Sequence, residues 1–341
     1  MGVKLKDILQ PQPTSFEELS HQVIAVDAFN MLYQFITTIR MRDGKPLKNS
    51  KGQPTSHLIG LLSRTSNFLE HQIKPVFIFD GESPQLKRAE QDRRRAIKKQ
   101  AKEKHQAAEA RGDITAMKKY AGRTAKLTSD MIQESKQLLE ALGVPWIQAP
   151  AEAEAQAALL VQAGDADYVA SQDMDSLLFG APKMIKNLSI TGKRKRPGTS
   201  SYYTIEPEII TLQTELNRLG ITQQQLILLG MLVGTDFNPS GIKGIGPKTA
   251  LKKVKEYGED AKQLFADVEW EEHNDVSWQE VHEVLTNMPT TKDYEIAWST
   301  PDEKKLRELL VDEFEFSEER VTNTVKKLTQ AQQQKGLRDY F

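Results

Sequence analysis

The sequence predicts an α/β fold in which a mostly parallel central sheet carries helices on both faces. Two observations carry this prediction: short apolar runs that end in acidic residues, and helical patterns between those runs. Strands that alternate with helices are typical of parallel sheets. A highly charged segment and a glycine-rich turn further predict a helical arch and a helix-hairpin-helix element.

Three segments are expected to form or to end strands of this sheet. Residues 23–27 and 75–80 are short, apolar at successive positions and rich in β-branched or aromatic side chains, which suits strands buried on both faces. Residues 168–175 also run from apolar into acidic positions. Helical patterns at 55–70 and 128–142 separate the three segments. Because ligands of such sheets collect at the carboxyl ends of strands, the acidic residues there are candidate site residues.

Charge is distributed unevenly along the 341 residues, although the formal net charge is only −1. Residues 87–126 contain 14 Lys and Arg against 5 Asp and Glu, a local charge of +9, which leaves −10 for the rest of the chain. A basic block beside an acidic body is the expected footprint of a polyanion-binding arm next to a carboxylate-rich centre. Taken alone, the block would equally suit a solvated charged helix. We expect one or two helices that stand away from the core.

The composition excludes several classes of site. Because the chain has no cysteine, disulfides, iron–sulfur clusters, cysteine nucleophiles and the usual structural zinc sites are excluded. The six histidines show no close pairing at ligand spacing, so a metal must rest mainly on oxygen. No apolar stretch of about 18 residues and no secretion leader is recognisable. We therefore expect an intracellular protein that has no membrane partner.

Seven acidic residues are candidate metal ligands at one edge of the sheet: Asp27, Asp80, Glu152, Glu154, Asp173, Asp175 and Asp236. Carboxylates gathered at close range repel one another unless cations neutralise them. Hard divalent ions such as Mg²⁺, which Mn²⁺ can replace, take oxygen ligands, and a pair about 4 Å apart can clamp the two reacting oxygens of a phosphodiester. The pattern therefore predicts two-metal-ion hydrolysis of a phosphodiester.

Residue spacing tests part of this candidate set. Asp173 and Asp175 point to the same side if the chain is extended there. Glu152 and Glu154 would lie about 200° apart on a regular helix, so they converge only near an irregular first turn, which Pro150 favours. Taken singly, each acidic residue could instead be a solvated or capping group.

Residues 241–249 form a glycine-rich turn between predicted helices at 223–233 and 247–257. The turn is not a P-loop, because Pro247 interrupts Gly-Lys-Thr, and it lacks the third glycine and the preceding strand of a dinucleotide fingerprint. Two helices joined in this way direct backbone N–H groups and a positive helix end at a phosphate. We interpret the element as a helix-hairpin-helix that binds the DNA backbone without reading its sequence. The residues assigned to that contact are Gly244, Gly246 and Lys248.

Six segments in order resemble the flap endonuclease family of archaea and eukaryotes, and the likeness covers essentially the whole chain. They are residues 24–28, 55–58, 74–81, 152–156, 171–177 and 244–248. The resemblance implies a structure-specific 5′-nuclease that binds branched DNA and cuts near the base of a 5′ flap in replication, including Okazaki fragment maturation, and in repair. A 5′ to 3′ exonuclease activity is also implied. The resemblance further implies that the seven carboxylates hold two magnesium ions.

Some positions depart from the family pattern. Ala153 stands where many members have glycine, and Met174 where many have tyrosine, but neither supplies a necessary ligand. The usual Gly-Leu near the N-terminus is here Leu5-Lys6. The sequence therefore leaves open how Gly2 is placed.

Further residues take their expected roles from the resemblance. Lys87 and Arg94 match basic residues at the foot of the family's helical arch, which contact the scissile phosphate, and their spacing of seven puts both on one helix face. Arg40 and Arg64 match other phosphate contacts, and Tyr33 matches an aromatic residue that stacks on a base. The hairpin glycines are implied to help hold a potassium ion against the duplex.

The C-terminal tail has the spacing Gln-x-x-Leu-x-x-Tyr-Phe, which resembles the sliding-clamp motif of the family. One helical turn would bring Leu337, Tyr340 and Phe341 to one side as an apolar plug, with Gln334 left to form hydrogen bonds. The resemblance thus implies recruitment by a sliding clamp and a location on the chromosome, which would be cytoplasmic in an archaeon.

The predicted organisation has five parts and no sign of more than a monomer. They are an N-terminal nuclease region at 1–98, a basic arch at 99–127, an internal nuclease region at 128–258 with the hairpin at about 222–257, a C-terminal helical part at 259–325, and a flexible tail at 326–341 that carries the motif at 334–341. Two alternatives remain: a related 5′-nuclease that prefers bubbles or duplex ends, and a non-catalytic clamp-bound DNA adaptor. Acidic residues beside phosphate would only weaken a pure binder.

Overall fold

The computed structural model of this chain describes residues 2–41, 43–111, 113, 116, 120, 122–190, 192–195 and 201–338. At residues 89, 123, 193–195, 203 and 331–338 it describes the backbone alone. The strands in this part of the chain are β1 Gln12–Pro13, β2 Val23–Asp27, β3 Lys74–Phe79, β4 Trp146–Gln148, β5 Tyr168–Ala170, β6 Lys183–Lys186, β7 Gly192–Lys195, β8 Tyr202–Ile205 and β9 Glu208–Thr211.

Seven of these strands form one sheet, in the order β1-β9-β6-β5-β2-β3-β4, while β7 and β8 form a separate antiparallel hairpin. The five strands from β6 to β4 run parallel. β9 is antiparallel to both β6 and β1. The predicted mostly parallel sheet is therefore confirmed, with an antiparallel edge.

Alternate side chains of the central strands face two different cores. Ala25 and Val76 lie in one buried cluster, whereas their neighbours Ile24 and Phe77 lie in the other. All four are at most 1% exposed. Burial on both faces explains why these strands are apolar at successive positions rather than at alternate ones.

Helices on both faces supply the rest of the two cores. The described α-helices are α1 Ala28–Thr38, α2 Ser56–Glu70, α3 Arg88–Ala110, α4 Ser129–Ala141, α5 Ala153–Ala163, α6 Asp175–Leu178, α7 Leu212–Leu219, α8 Gln223–Val233, α9 Pro247–Tyr257, α10 Ala261–Asp267, α11 Trp270–His273, α12 Trp278–Thr286, α13 Glu303–Arg307 and α14 Glu318–Arg338. A π-helix at Glu308–Glu313 follows α13. Helices α5 and α8 pack on one face of the sheet, and α1, α2 and α4 pack on the other. None of the described helices is both long enough and apolar enough to cross a bilayer.

The predicted helices at 55–70, 128–142, 223–233 and 247–257 are present within one residue of those bounds. The conditional expectation of an extended chain at Asp173 and Asp175 is wrong. Strand β5 ends at Ala170, residues 171–174 turn, and Asp175 begins the short helix α6. Alternation along a strand therefore cannot be what brings these two carboxylates together.

The first part of the basic segment forms one long helix. A 3-10 turn at Gln85–Lys87 leads into α3, which ends at Ala110. The helix is not free along its whole length, because Ala101 and Ala108 are buried and it contacts the turn Gly122–Thr124. The helix therefore does not stand away from the rest of the protein along its whole length, because its small alanines allow a close approach.

The backbone of α14 is helical as far as Arg338, well beyond position 326, where the sequence predicts a flexible tail to begin. The side chains of Gln334 and Leu337 lie outside the described residues, as do Tyr340 and Phe341 entirely. The predicted clamp-binding contact stays a prediction.

Candidate active site

Two of the seven acidic candidates follow the central strands of the sheet. Asp27 ends β2 and caps α1, where its Oδ1 accepts a hydrogen bond from the Asn30 backbone N at 2.9 Å. Asp80 follows β3, and its Oδ1 accepts from the Ala153 N at 2.7 Å. Because β2 and β3 are parallel neighbours, both carboxylates lie at the same edge of the sheet.

The N-terminal residues bring Asp173 and Asp175 together. Asp173 Oδ1 accepts a hydrogen bond from the Gly2 N at 3.1 Å, and Asp175 Oδ1 accepts one from the Val3 N at 2.8 Å. Asn30 Nδ2 donates to Asp173 Oδ2 at 3.2 Å. Gly2 and Val3 therefore lie against these acidic residues, and Gly2 is placed beside Asp173.

Glu152 and Glu154 lie at an irregular helix start, as the sequence predicts. Glu152 is the N-cap of α5, in an extended conformation with φ −83° and ψ 129°, while Glu154 lies in the first helical turn. Ser171 Oγ donates to Glu154 Oε1 at 3.2 Å, which joins α5 to the end of β5. Because Glu152 is not in helical geometry, the separation of about 200° on a regular helix does not apply to this pair.

Asp236 reaches the cluster from the loop after α8, and two basic side chains meet it there. Lys87 Nζ lies 2.5 Å from Glu152 Oε2 and 3.3 Å from Asp236 Oδ2. Arg94 Nη2 donates to both oxygens of Asp236, at 2.9 and 3.0 Å. Lys87 ends the 3-10 turn before α3, whereas Arg94 lies on α3 itself, so the expected single helix face is formed by a turn and a helix together. Both side chains bind the foot of α3 to the acidic cluster.

The electrostatic environment marks the acidic residues as one interacting group. Burial raises the pKa of Asp27 to about 8, and Asp80 adds to this shift. Burial likewise raises the pKa of Asp175 to about 7, and burial with the charge of Glu152 raises that of Asp80 to about 6. The pKa of Glu154 is well above its ordinary range because of burial, Asp175 and Asp27. Such shifts arise when like charges share a site of low polarity.

Lys87 provides one of the positive charges that balance the acidic residues. Burial acts to lower the pKa of Lys87, but the carboxylates of Glu152 and Asp236 outweigh it and raise that pKa above its ordinary value. Lys87 is therefore a cation at neutral pH. Its single charge and that of Arg94 leave the larger part of the acidic cluster uncompensated.

The donor set fits hard divalent cations, although no group of three or more acidic or histidine side chains in the described residues is close enough to be a formed metal site. Magnesium keeps several of its waters, so carboxylates that stand apart can hold it partly through water. Oxygen is the ligand type that Mg²⁺ and Mn²⁺ select. The mutual repulsion expressed in the raised pKa values is what a cation would relieve.

Comparison with known proteins agrees with this geometry. The XPG N-terminal domain matches residues 1–101, and the XPG I-region matches residues 143–236. Flap endonuclease 1 of Hyperthermus butylicus is 48% identical over 100% of this chain and 96% of its own length, and that of Pyrococcus abyssi is 46% identical over 100% and 98%. The chain belongs to the flap endonuclease family.

Solved structures show the same relationship. Flap endonuclease-1 from Methanococcus jannaschii superposes with a TM-score of 0.77 at 36% identity, over 98% of this chain and 100% of that one. The catalytic core of Rad2 in complex with a DNA substrate gives a TM-score of 0.66 at 26% identity, over 95% and 97%. Metal-dependent catalysis and DNA binding are properties of this family.

Gln148 and Lys136, which were not predicted from the sequence, support the backbone next to Asp80 in this flap endonuclease site. Gln148 Nε2 donates to the carbonyl oxygens of Phe79 and Asp80, at 3.2 and 2.6 Å. Lys136 Nζ in turn donates to Gln148 Oε1 at 2.8 Å and lies 4.1 Å from the Trp146 ring centroid. Because lysine and glutamine are common surface residues, nothing in the sequence indicated that Lys136 would be buried and bound to Gln148.

Three residues to which the family resemblance assigns DNA contacts differ in their exposure to solvent. Tyr33 is 36% exposed, and Lys98 Nζ lies 5.2 Å from its ring centroid, so its ring is outside the core. Arg40 Nη1 donates to the Gly44 carbonyl at 2.9 Å, while its buried Nε has no hydrogen-bond partner in the described part of the chain. Burial lowers the pKa of both Arg40 and Arg64. Their phosphate contacts stay predictions.

The glycine-rich turn has the geometry of a helix-hairpin-helix. Gly246 is the extended N-cap of α9 without a side-chain cap, Pro247 occupies the first turn, and Lys248 is exposed beside it. Gly244 has φ +85°, which favours glycine. The strictest requirement falls on a residue that the sequence did not single out: a Cβ on Gly241 would lie 2.5 Å from the Val233 carbonyl group.

Proposed function

We propose that this chain is a structure-specific 5′-flap endonuclease that hydrolyses a DNA phosphodiester near the base of the flap and leaves a 5′-phosphate. The observation that carries the proposal is the acidic cluster at the carboxyl ends of the parallel strands, which binds the foot of a basic helix through Lys87 and Arg94. A carboxylate cluster supplies metal ligands, and an adjoining basic helix supplies affinity for the polyanion. Family membership supports the same reaction.

The seven carboxylates are proposed to hold two Mg²⁺ ions, which Mn²⁺ can replace. When bound, the ions would supply Lewis-acid activation of water and stabilisation of the leaving 3′ oxygen. Asp173 and Asp175 are held for this role by the Gly2 and Val3 amides, Asp27 by the Asn30 amide and Asp80 by the Ala153 amide. Backbone donors of this kind fix carboxylate orientation before a ligand arrives.

Lys87 and Arg94 are the proposed phosphate-binding residues. Both are cations beside the carboxylate cluster, where charge develops on the phosphate during reaction. Arg94 presents a planar fork suited to two phosphate oxygens, whereas Lys87 acts as a point charge. The basic arch above them is proposed to admit a free single-stranded 5′ end.

The remaining contacts position the DNA rather than cut it. Gly244, Gly246 and Lys248 are proposed to bind the duplex backbone, together with a K⁺ ion, and Tyr33 to stack on a base near the cleavage point. Arg40 and Arg64 are proposed to contact other phosphates.

The C-terminal motif is proposed to bind a sliding clamp through Gln334, Leu337, Tyr340 and Phe341. Clamp binding would recruit a monomer to replication and repair sites on the chromosome. Truncation after residue 333 would then abolish clamp binding and leave clamp-independent cleavage intact.

Substrate preference is tested by single-turnover cleavage of double-flap, blunt-ended and bubble DNA of matched sequence. We expect the flap to be cut fastest, by at least about tenfold, because only it presents both a free 5′ end and flanking duplexes. Slower cleavage of duplex ends would represent the exonuclease activity. Fastest cleavage of the bubble would favour the related nuclease class instead.

A further inference from the structure

Glu90 is the most deeply buried acidic side chain of the basic helix α3. It lies in the first helical turn and is only 2% exposed. Arg93 Nε and Nη2 donate to its two oxygens, at 2.6 and 2.8 Å, and Arg94 Nε donates to Oε1 at 2.7 Å. One carboxylate therefore holds two guanidinium groups.

The contact with Arg94 uses a different part of the guanidinium from the contact with the acidic cluster. Glu90 binds Nε, while Nη2 reaches the oxygens of Asp236 at 2.9 and 3.0 Å. Two points of attachment on a planar group fix both its position and its plane. Arg94 is thereby the bridge between the foot of the arch and the loop after α8.

Glu90 is charged in this environment. Burial acts to raise its pKa, but hydrogen bonds from Arg93 and Arg94 outweigh burial and keep the pKa below its ordinary value. Hydrogen bonds between charged groups are shorter and stronger than neutral ones. Because a buried carboxylate needs partners that neutralise its charge, the two arginines and Glu90 form one interdependent unit.

A second pair on the same helix lacks these properties and serves as a comparison. Asp92 Oδ1 lies 3.0 Å from Arg95 Nη1, with side chains 70% and 76% exposed. An exposed pair of this kind contributes little to stability or orientation. Glu90–Arg93 has the same i to i+3 spacing as Asp92–Arg95, so spacing alone does not set Glu90 apart. Its burial and its second contact, with the Arg94 that reaches Asp236, distinguish it.

We propose that Glu90 is a positioning residue that holds the Arg94 guanidinium with its Nη groups directed at the carboxylate cluster. This inference rests on the proposed nuclease function and extends it to a residue outside the cluster. A guanidinium that is oriented in advance loses less conformational freedom when it binds phosphate. Arg94 can therefore stabilise the negative charge that develops on the scissile phosphate during the reaction. Without Glu90, the Nε would be free and the fork could turn away from the phosphate.

Glu90→Gln tests the proposal, because glutamine keeps the shape and one acceptor oxygen but removes the charge. We expect the single-turnover rate on a double-flap DNA to fall about tenfold or more, while the DNA dissociation constant changes less than about twofold. The matched control Asp92→Asn is expected to change neither quantity by more than about twofold. Glu90→Ala is expected to slow the reaction at least as much as Glu90→Gln, with thermal unfolding used to verify that each variant is folded.

A double-mutant cycle separates positioning from general structural damage. Because Glu90 acts through Arg94, Glu90→Gln is expected to have no further effect on the rate in an Arg94→Ala background. Equal slowing in both backgrounds would overturn the proposal, as would an unchanged rate in Glu90→Gln alone.

A second readout does not depend on cleavage. In arginine-labelled protein, the Nε–H resonance of Arg94 is expected to shift in Glu90→Gln and to stay in place in Asp92→Asn. An unchanged resonance in Glu90→Gln would also overturn the proposal. If the unaltered protein cuts no DNA but the resonance shifts as expected, the nuclease function fails while the Glu90–Arg94 contact stands.

Discussion

A Cβ atom placed on Gly2 would lie 2.2 Å from Asp175 Oδ2 and 2.7 Å from Asp173 Cβ. The chain start therefore occupies space beside the two carboxylates in which no side chain fits. The amides of Gly2 and Val3 use this proximity to donate one hydrogen bond to each carboxylate. Residues that are about 170 positions apart in the sequence thus form one wall of the candidate active site.

Gly2→Ala is expected to displace the N-terminal residues or Asp175 and so to disturb the metal ligands. We expect the single-turnover cleavage rate to fall by about tenfold or more, because a displacement of about 1 Å near reacting groups can cost as much as a hundredfold. Ala297→Ser, which adds one atom at an exposed position away from the acidic residues, is the control. A Gly2→Ala protein with full activity would contradict the proposed tight wall.

Asp175→Ala and Asp175→Asn are expected to lose cleavage while keeping DNA affinity. Loss of a metal ligand removes several kcal/mol of transition-state stabilisation, which corresponds to about a thousandfold or more in rate. The asparagine variant keeps an acceptor for the Val3 amide, so its defect would reflect chemistry rather than folding. Exposed Glu295→Gln is the control. Substantial activity in both Asp175 variants would exclude Asp175 as a ligand.

The raised carboxylate pKa values predict how pH affects the metal-free protein. In the unfolded chain an aspartate titrates near 3.9, whereas in the folded protein Asp80, Asp175 and Asp27 titrate at about 6, 7 and 8. The folded state therefore holds more protons between about pH 4 and pH 8, and the free energy of unfolding falls as pH rises through that window.

Magnesium requires the ionised carboxylates, so its stabilising effect is expected to grow over the same range. Thermal unfolding at about pH 5.5, 7 and 8.5, in EDTA and in Mg²⁺, measures both trends. The gap between the two melting temperatures should widen with pH. A gap that stays constant or narrows would argue against metal binding by these groups.

Lys248→Ala is expected to weaken DNA binding similarly for all sequences, because the proposed contact is with phosphate. The plot of log affinity against log salt concentration should become shallower by about one unit. Lys304→Ala on α13 removes a lysine that is also exposed but has no proposed DNA contact, and should leave the slope unchanged. An unchanged slope for Lys248→Ala would place the duplex elsewhere.

The central strands and their acidic ends could be predicted because burial on both faces leaves a continuous apolar pattern. Pro150 favoured an irregular helix start at Glu152 and Glu154, and the structure has that start. Asp173 and Asp175 were grouped on the expectation of an extended chain, but the chain turns there and Asp175 begins a helix. They meet through the Gly2 and Val3 amides, about 170 residues away in sequence, a contact that no local pattern encodes.

Other parts of the site depend on tertiary contacts between ordinary polar residues. The burial of Glu90 and Lys136 follows from arginine and aromatic neighbours, respectively, that gather only in the folded chain. The requirement for glycine at position 241 comes from the approach of the Val233 backbone, which is also a tertiary relationship. Sequence patterns mark strands, helix starts and turns, whereas such supporting contacts become visible only when the elements are packed.

The most direct test is cleavage of an end-labelled double-flap DNA with Mg²⁺, with EDTA, and with a flap whose 5′ end is blocked. The account predicts cutting at the flap base that requires Mg²⁺ and is lost when the 5′ end is blocked. Absence of cutting of any DNA with Mg²⁺ or Mn²⁺ would contradict the nuclease assignment and favour a DNA adaptor. Equal cutting of the blocked flap would contradict passage of a free 5′ end through the arch.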